Sequence, residues 1–284
     1  MQPKTIKIFL AEGDPTGLKI AELSNWTGQA IVVPRNRLKE IKARKEADKP
    51  SVYFLVGKNE QDENKPLLYI GEAENFGSRL FEHDGGKDFW QTAIGFSSKD
   101  DNLTKAHVRY LESVCIRLAK KSNRCKLMNN TDSSEPNLPE SDLADLNEFL
   151  NNLRVLFSTL GYTFLEPLVS KESVDPENPI FYCKGKGAEA TGRMTNEGFV
   201  VYKDSTATTH YSIAGTKKLP EHVEKLLENQ YIKKQDEDLY VFLKDYVFSS
   251  PSAASDLVLG NSSNGWISWK TDNGKTLSDI YRDK

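Results

Sequence analysis

The sequence has few of the residues that cross-link or anchor a protein. Its 284 residues contain three cysteines, Cys115, Cys125 and Cys183, and no two of them are spaced as a CxxC pair. An odd number without paired spacing argues against a disulfide framework or a zinc knuckle, and small buried thiols are the ordinary alternative. No apolar run approaches the roughly 20 residues that cross a bilayer. The N-terminal stretch MQPKTIKIFL also lacks the charged-then-apolar layout of a signal peptide, so we expect a cytoplasmic protein.

Acidic side chains are concentrated in the middle of the chain. Residues 131–179 carry 10 acidic and 2 basic side chains, a composition typical of a solvated linker that leads into a helix. Residues 180–284 carry 14 of each sign, a balance more often seen outside DNA-binding domains. The length leaves room for two domains, each with its own core. We predict a basic, β-rich region at 1–48, a first domain at 49–135, an acidic linker with a connecting helix at 136–179, and a C-terminal α+β domain at 180–284.

Two short stretches are strongly basic. RNRLKEIKARK at 35–45 has six basic residues and one acid, and TKAHVRYLESVCIRLAKKSNRCK at 104–126 has seven basic residues and one acid. Such stretches suit phosphate binding, although a solvated helix face explains either one equally well when it is taken alone.

Turn residues and apolar periodicity predict a mixed α and β chain. Strands are predicted at 6–10, 17–23 and 30–33, in SVYFLVG and LLYIG as a hairpin with a wide loop, and in TAIGFSS. Helices are predicted at 35–46 behind Pro34, at 75–83, at 104–121, and along the stripe Leu143, Leu146, Leu150, Leu153 and Phe157.

The C-terminal third shows its own turn and cap signals. FYCKGKGAEATGR and GFVVYKDST are predicted to form antiparallel hairpins. PSAASDLVLG is predicted to be a helix with Ser250 as N-cap, Pro251 in the first turn and Gly260 as the stop. WISWK and the turn TDNGKT are predicted to form a closing hairpin.

Several polar and aromatic residues between 53 and 112 could form a site. Tyr53 and Tyr69 fall in neighbouring predicted strands, where a tyrosine most often only packs and bonds its hydroxyl once. Arg79 and His83 are spaced i, i+4, so they rise from one face of a helix. Glu112 lies beside the apolar stripe of a helix that is otherwise basic, and a carboxylate there is unfavourable unless a cation meets it. That cation could be a metal ion or Arg79.

These residues occur in the order of a known motif set. The chain is similar to the GIY-YIG nuclease family, although its first motif reads Ser51, Val52, Tyr53 and so keeps the tyrosine without the glycine. The C-terminal region, with GRMTNEGFVV, FSSPSAASDLVLG and NGWISWK, resembles a domain of unknown function often attached to such nucleases. The matching elements of the first motif set are Tyr53, YIG at 69–71, Arg79 with His83, Glu112, and Asn129 in KLMNN.

The resemblance implies a fold, an activity and a role for each residue. The implied fold at 49–135 is a GIY-YIG domain with a three-stranded antiparallel sheet and flanking helices, of α/β (α+β) class, and the implied activity is hydrolysis of phosphodiester bonds in duplex DNA. Glu112 would hold one Mg²⁺ or Mn²⁺, Tyr53 would act as general base helped by His83, Arg79 would contact the scissile phosphate, Tyr69 would position water or phosphate, and Asn129 would fix the geometry near Glu112. We expect these side chains to line one concave site. The predicted nucleic-acid contacts are Gly71, Arg79, Arg117, Lys120 and Lys121.

Two alternatives from other classes remain open. The fold could bind or regulate nucleic acid without useful turnover. The chain could also be a protein-interaction module, in which the C-terminal domain recruits a protein partner.

Overall fold

The chain divides into two compact units, Met1–Pro167 and Leu168–Lys284. The structure is a computed structural model that describes residues 3–62, 65–130, 134–168, 178–211 and 220–282. Each unit has its own strands, helices and core, so the predicted α+β class with separate N-terminal and C-terminal domains is confirmed. Within these described ranges, no helix is both long enough and apolar enough to cross a membrane.

One wide sheet forms the centre of the first unit. Among the described residues it has seven strands, in the spatial order β1-β2-β3-β6-β4-β5-β7. All neighbours are antiparallel except β5 and β7. The predicted three-stranded sheet is therefore the β6-β4-β5 part of a wider sheet, because β3 pairs with β6 and carries β2 and β1 with it. The strands are β1 (Ile6–Leu10), β2 (Lys19–Leu23), β3 (Gly28–Pro34), β4 (Ser51–Gly57), β5 (Leu67–Ala73), β6 (Thr92–Ser98) and β7 (Lys126–Leu127).

The helix predicted at 35–46 forms as two 3₁₀ helices, Arg35–Ala43 and Lys45–Asp48, rather than as one α-helix. The first of them buries only Leu38 and Ile41. Residues three apart lie on one face of a helix with three residues per turn, so this narrow contact suits the 3₁₀ form.

The first two α-helices of the first unit begin where the sequence predicts. In α1 (Phe76–Asp84) the Asn75 side chain accepts a hydrogen bond from Ser78 N, and in α2 (Lys105–Ser122) Thr104 accepts one from His107 N. Each cap occupies one of the backbone N–H groups that a helix start leaves unpaired. The third helix, α3 (Glu140–Thr159), buries most of the predicted leucine stripe.

The two faces of the sheet carry different cores, because successive residues of a strand point to opposite sides. Val52 and Phe54 of β4 pack with α2 and α3, whereas Tyr53 and Leu55 pack with α1 and the two 3₁₀ helices. We call the first side the α2 face and the second side the α1 face.

The second unit is built from short strands and short helices. Among its described residues, one sheet has the order β14-β10-β9-β8 and another has the order β11-β13-β12. The strands are β8 (Phe181–Gly185), β9 (Ala188–Thr195), β10 (Gly198–Val201), β11 (Thr206–Thr208), β12 (Ile232–Lys234), β13 (Leu239–Phe242) and β14 (Tyr246–Phe248). The helices are α4 (Glu221–Glu228), α5 (Pro251–Leu259), α6 (Gly265–Ser268) and α7 (Leu277–Tyr281).

The predicted helix in PSAASDLVLG is confirmed with its caps. Ser250 accepts a hydrogen bond from Ala253 N, and Gly260 ends α5 at a φ of 68°. The predicted hairpin through WISWK is wrong in its first half, which forms α6 because Asn264 caps the Trp266 N–H. Only an isolated bridge between Lys270 and Thr276 joins the two predicted arms among the described residues.

Candidate functional site

Tyr53 sits between two glycines of neighbouring strands. It lies opposite Gly71 of β5 and opposite Gly95 of β6. A Cβ atom on Gly71 would lie 2.4 Å from the Cζ and hydroxyl oxygen of Tyr53, and one on Gly95 would lie 2.6 Å from the Phe76 ring. The glycines therefore leave the room in which the two rings pack, with centroids 5.7 Å apart. Gly71, which is a predicted nucleic-acid contact, is buried, and its contact in the structure is with Tyr53.

The Tyr53 hydroxyl is held by two residues of α1. Its oxygen lies 2.6 Å from Nε2 of His83, and the Arg79 guanidinium lies near enough to the phenol to act on its pKa. Tyr53 is 0% exposed and His83 is 5% exposed. The Arg79 side chain is 42% exposed and also pairs with Glu82, which lies on the outer side of the helix.

Burial and charge set the protonation of this group. Burial raises the pKa of the Tyr53 phenol, the neighbouring Tyr69 adds to that rise, and Arg79 opposes it. Burial lowers the pKa of His83 to about 4, and the positive charges of Arg79 and Lys87 act in the same direction. His83 is therefore neutral at pH 7, and its Nε2 can accept a hydrogen bond from the phenol. The bonds to Tyr53 and Glu82 raise the pKa of Arg79, so the guanidinium stays charged.

Tyr69 lies at the border between this buried group and solvent. Its half-buried ring is 6.2 Å from the Tyr53 ring and 5.4 Å from the His83 ring, between centroids. The Nζ atom of Lys87 lies 4.4 Å from the centre of the Tyr69 ring. Lys87 is not among the predicted site residues. Its spacing of four from His83 is a signal, but Gly85 and Gly86 between them end the helix pattern.

Asn129 is tied to the backbone of β5. Its Oδ1 accepts a hydrogen bond from Ile70 N at 3.0 Å, and its Nδ2 donates one to Ile70 O at 2.7 Å. Ile70 is the central residue of the YIG sequence, between Tyr69 and Gly71. The amide of Asn129 therefore fixes the strand that carries both residues.

Glu112 lies on α2, the helix that covers the α2 face of the sheet. Lys105 near the start of α2 pairs with Glu74 at 3.0 Å, and Asn123 after its end bonds Lys65 at 2.6 Å. The helix thus runs antiparallel to β5, and Glu112 is level with the middle of that strand. The structure brings Tyr53, Tyr69, Arg79 and His83 together on the α1 face, and it places the half-buried Glu112 on the helix of the other face. Glu112 is therefore not brought together with the other four, against the expectation that all of them line one concave site.

The metal-binding capacity of the described residues is modest. No group of three or more His, Cys, Asp or Glu side chains within them could share a metal ion. Mg²⁺ is commonly held by one or two carboxylates together with water and substrate phosphate. The single carboxylate of Glu112 fits a site in which water and substrate phosphate supply the other ligands.

The remaining predicted phosphate contacts are exposed on the last turns of α2. Arg117 Nη1 lies 3.1 Å from Glu135 Oε2, and Lys120 and Lys121 are exposed. In the basic stretch 35–45, Arg35 bonds Asp84 and Asp88, and Arg37 pairs with Glu12, Asp14 and Glu40. Salt bridges therefore neutralise part of the charge that the sequence shows.

Comparison with known families bears on the second unit. A family described as a domain of unknown function (DUF4357) matches residues 181–281. The predicted likeness of the C-terminal region to a domain of unknown function is thus confirmed. No curated protein and no solved structure matches the chain.

Proposed function

We propose that the chain is a metal-dependent nuclease of the GIY-YIG kind that hydrolyses phosphodiester bonds of DNA. The observation that carries this proposal is the 2.6 Å hydrogen bond between the Tyr53 hydroxyl and Nε2 of His83, with the charged Arg79 beside the phenol. Hydrolysis of a phosphodiester needs a base for the attacking water and positive charge on the phosphoryl oxygens. A phenol next to a proton acceptor and a guanidinium can supply both.

Each residue of the group has a role in this reaction. His83 orients the phenol, and it takes the phenol proton only as the Tyr53 oxygen takes one from water, so that no free phenolate has to form. Arg79 presents a planar fork that suits two phosphate oxygens. A phosphate bound by Arg79 would therefore lie beside the Tyr53 phenol.

The proposal also gives roles to Glu112, which lies on α2, and to Asn129, which bonds β5. Glu112 would hold Mg²⁺ or Mn²⁺, which supplies positive charge to the phosphate when bound. Asn129 keeps β5, and with it Tyr69, at a fixed height beside α2. Tyr69 orients water or phosphate from the solvent side.

A second candidate is a nucleic-acid-binding module with little or no turnover. Complete burial of the Tyr53 hydroxyl and the raised pKa of its phenol favour this function, because neither helps a base that must meet water. The balanced charge of residues 180–284 favours a related role, in which the second unit recruits a protein partner.

The deciding experiment is plasmid cleavage by the full chain with Mg²⁺, with Mn²⁺ and with EDTA. Glu112→Gln keeps the size of the side chain and removes its charge, so we expect cleavage to collapse while DNA binding persists. Glu148→Gln, an exposed residue of α3, is the matched control and should cleave normally. Melting temperature is measured on the same preparations.

The outcome separates a metal ligand from a structural residue. A Glu112→Gln protein that melts much earlier but cleaves normally at low temperature would remove Glu112 from the reaction. A wild-type protein that binds DNA but does not cleave it, either with Mg²⁺ or with Mn²⁺, would favour the binding module.

A further inference from the structure

Lys87 places a positive charge at the solvent side of the site. Its Nζ lies over the Tyr69 ring at 4.4 Å from the centroid. The carboxylates nearest to it in sequence are engaged elsewhere, since Asp84 and Asp88 bond Arg35 and Glu82 bonds Arg79. Within the part of the chain that the structure describes, Lys87 forms no ion pair. Its charge is therefore available to an anion.

The backbone around Lys87 is fixed. Lys87 N donates a hydrogen bond to His83 O at 2.9 Å. Arg35 Nη2 donates to Asp84 O at 3.1 Å and Arg35 Nη1 donates to Asp88 O at 3.0 Å, so one guanidinium holds both sides of the turn. The same guanidinium stacks over Trp90 at 5.0 Å. The lysine thus projects from a turn that is clamped at three points.

Lys87 and Arg79 act on His83 together. Both charges lower the pKa of His83, which requires both to lie near its ring. Arg79 lies near the Tyr53 phenol, and Lys87 Nζ lies over the Tyr69 ring. Two cations therefore flank the aromatic group, one at the proposed reacting oxygen and one farther toward solvent.

We propose that Lys87 binds the phosphate next to the scissile one, so that the site takes an internal phosphodiester of a nucleic-acid strand with at least two consecutive phosphates. A terminal phosphomonoester would fill only one of the two cation positions. This inference rests on the proposed function, because it assigns the scissile phosphate to Arg79.

The first test measures binding without cleavage. Fluorescence anisotropy of a labelled DNA duplex is recorded in EDTA over a range of salt concentrations. Lys87→Gln should lower the slope of log affinity against log salt by about 0.9, because one phosphate contact and its counterion are lost. Lys87→Arg should restore the slope. Lys99→Gln is the control, since Lys99 carries the same charge in the same unit but pairs with Glu22 at 2.8 Å.

The following results distinguish a phosphate contact from a lysine that only supports the fold. Lys87→Gln should melt within error of wild type, and the pKa of His83, followed by NMR of its ring proton, should rise because a positive charge has gone. If Lys87→Gln and Lys99→Gln have the same salt slope, the inference is overturned, whether or not the protein cleaves DNA.

The second test uses cleavage. Once the cleaved bond has been mapped, a neutral methylphosphonate replaces each flanking phosphate in turn. At one flanking position it should slow the wild type about tenfold, which is the effect of one charge-assisted contact, and should not slow Lys87→Gln further. Equal slowing of both proteins at every position would overturn the inference. A wild type that never cleaves but keeps the Lys87-dependent slope would overturn the nuclease proposal and leave Lys87 as a phosphate contact.

Discussion

The two faces of the first unit's sheet bury the side chains of β4 in different ways. Phe54 on the α2 face lies against Phe157 and Phe96, with ring centroids 4.4 and 5.8 Å away. Tyr53, its neighbour in sequence, is equally buried on the α1 face but carries a hydroxyl that needs His83 and Arg79. One face is held mainly by apolar contact. The other keeps a polar group that is stable only while its partners are in place.

The difference shows on which face the buried titratable pair Tyr53 and His83 lies. The α2 face supports the fold mainly through apolar packing, whereas the α1 face holds a buried group whose protonation depends on its neighbours. Three substitutions and a change of pH test this contrast, and the expected loss of stability decreases from each to the next.

Phe54→Ala should have the largest effect on the free energy of unfolding. Removing a fully buried ring from a close-packed core typically costs about 3 to 5 kcal/mol. Urea unfolding followed by circular dichroism measures the loss. Phe9→Ala is the control, since Phe9 is 56% exposed on β1 and its removal should change the free energy by less than about 0.5 kcal/mol. A small loss for Phe54→Ala would mean that the α2 face is not the stabilising side.

Gly71→Ala should disturb the α1 face by crowding. The new Cβ would lie 2.4 Å from the Tyr53 hydroxyl, and overpacking of this kind costs about 1 to 3 kcal/mol. The tyrosine must move, so the hydrogen bond to His83 should be lost as well. Gly86→Ala is the matched control, because the nearest atom to its Cβ would be Glu82 O at 3.7 Å. If Gly71→Ala and Gly86→Ala had the same melting temperature, the close packing of Tyr53 against Gly71 would be contradicted.

The pH dependence of stability should report the neutral state of His83. Its pKa falls from 6.5 to about 4 on folding, so between these values the unfolded chain binds more protons. Stability from this group is complete above pH 6.5 and is lost as the pH falls toward about 4, with a slope of at most about 1.4 kcal/mol per pH unit. Unfolding of wild type and His83→Gln is compared at about pH 7.5 and about pH 5. Parallel losses in both proteins would show that His83 is not the group responsible.

Tyr53→Phe should have the smallest effect on stability and a large effect on cleavage. The ring still fills its seat, and loss of one buried hydrogen bond costs about 1 kcal/mol. Under the proposed function, cleavage should disappear while DNA binding remains. Tyr162→Phe, a tyrosine of the α2 face core, is the control. Normal cleavage by Tyr53→Phe would exclude this phenol as the base.

Local signals explain what the sequence could predict. Asn75, Thr104 and Ser250 each precede a helix and each caps it, because a side-chain oxygen next to unpaired N–H groups acts within a few residues. The apolar runs SVYFLVG and LLYIG, separated by a polar loop, placed two strands correctly because turn residues also act locally. The order of Tyr53, Tyr69, Arg79 and His83 indicated a cluster that the structure brings together.

The missed features depend on distant parts of the chain. The sheet is wider than predicted because β3 pairs with β6, across residues 35–91, and no local pattern encodes that pairing. The face on which α2 packs follows from the same global arrangement, so the relation of Glu112 to Tyr53 could not be predicted from spacing. Lys87 was not predicted as a site residue because its position depends on Arg35, which is distant from it in sequence.

The side chain of Asn129 behaves as an added rung of the sheet. Its amide repeats the donor and acceptor of a peptide group, so the edge of β5 stays paired at Ile70 after β7 has ended. A strand edge with free peptide groups is a template for another chain. Asn129 therefore seals that edge at Ile70 against intruding strands, and it does so with one residue that also lies next to the YIG sequence. Without this amide, the peptide groups of Ile70, at the border of the candidate site, would be free to pair with another chain.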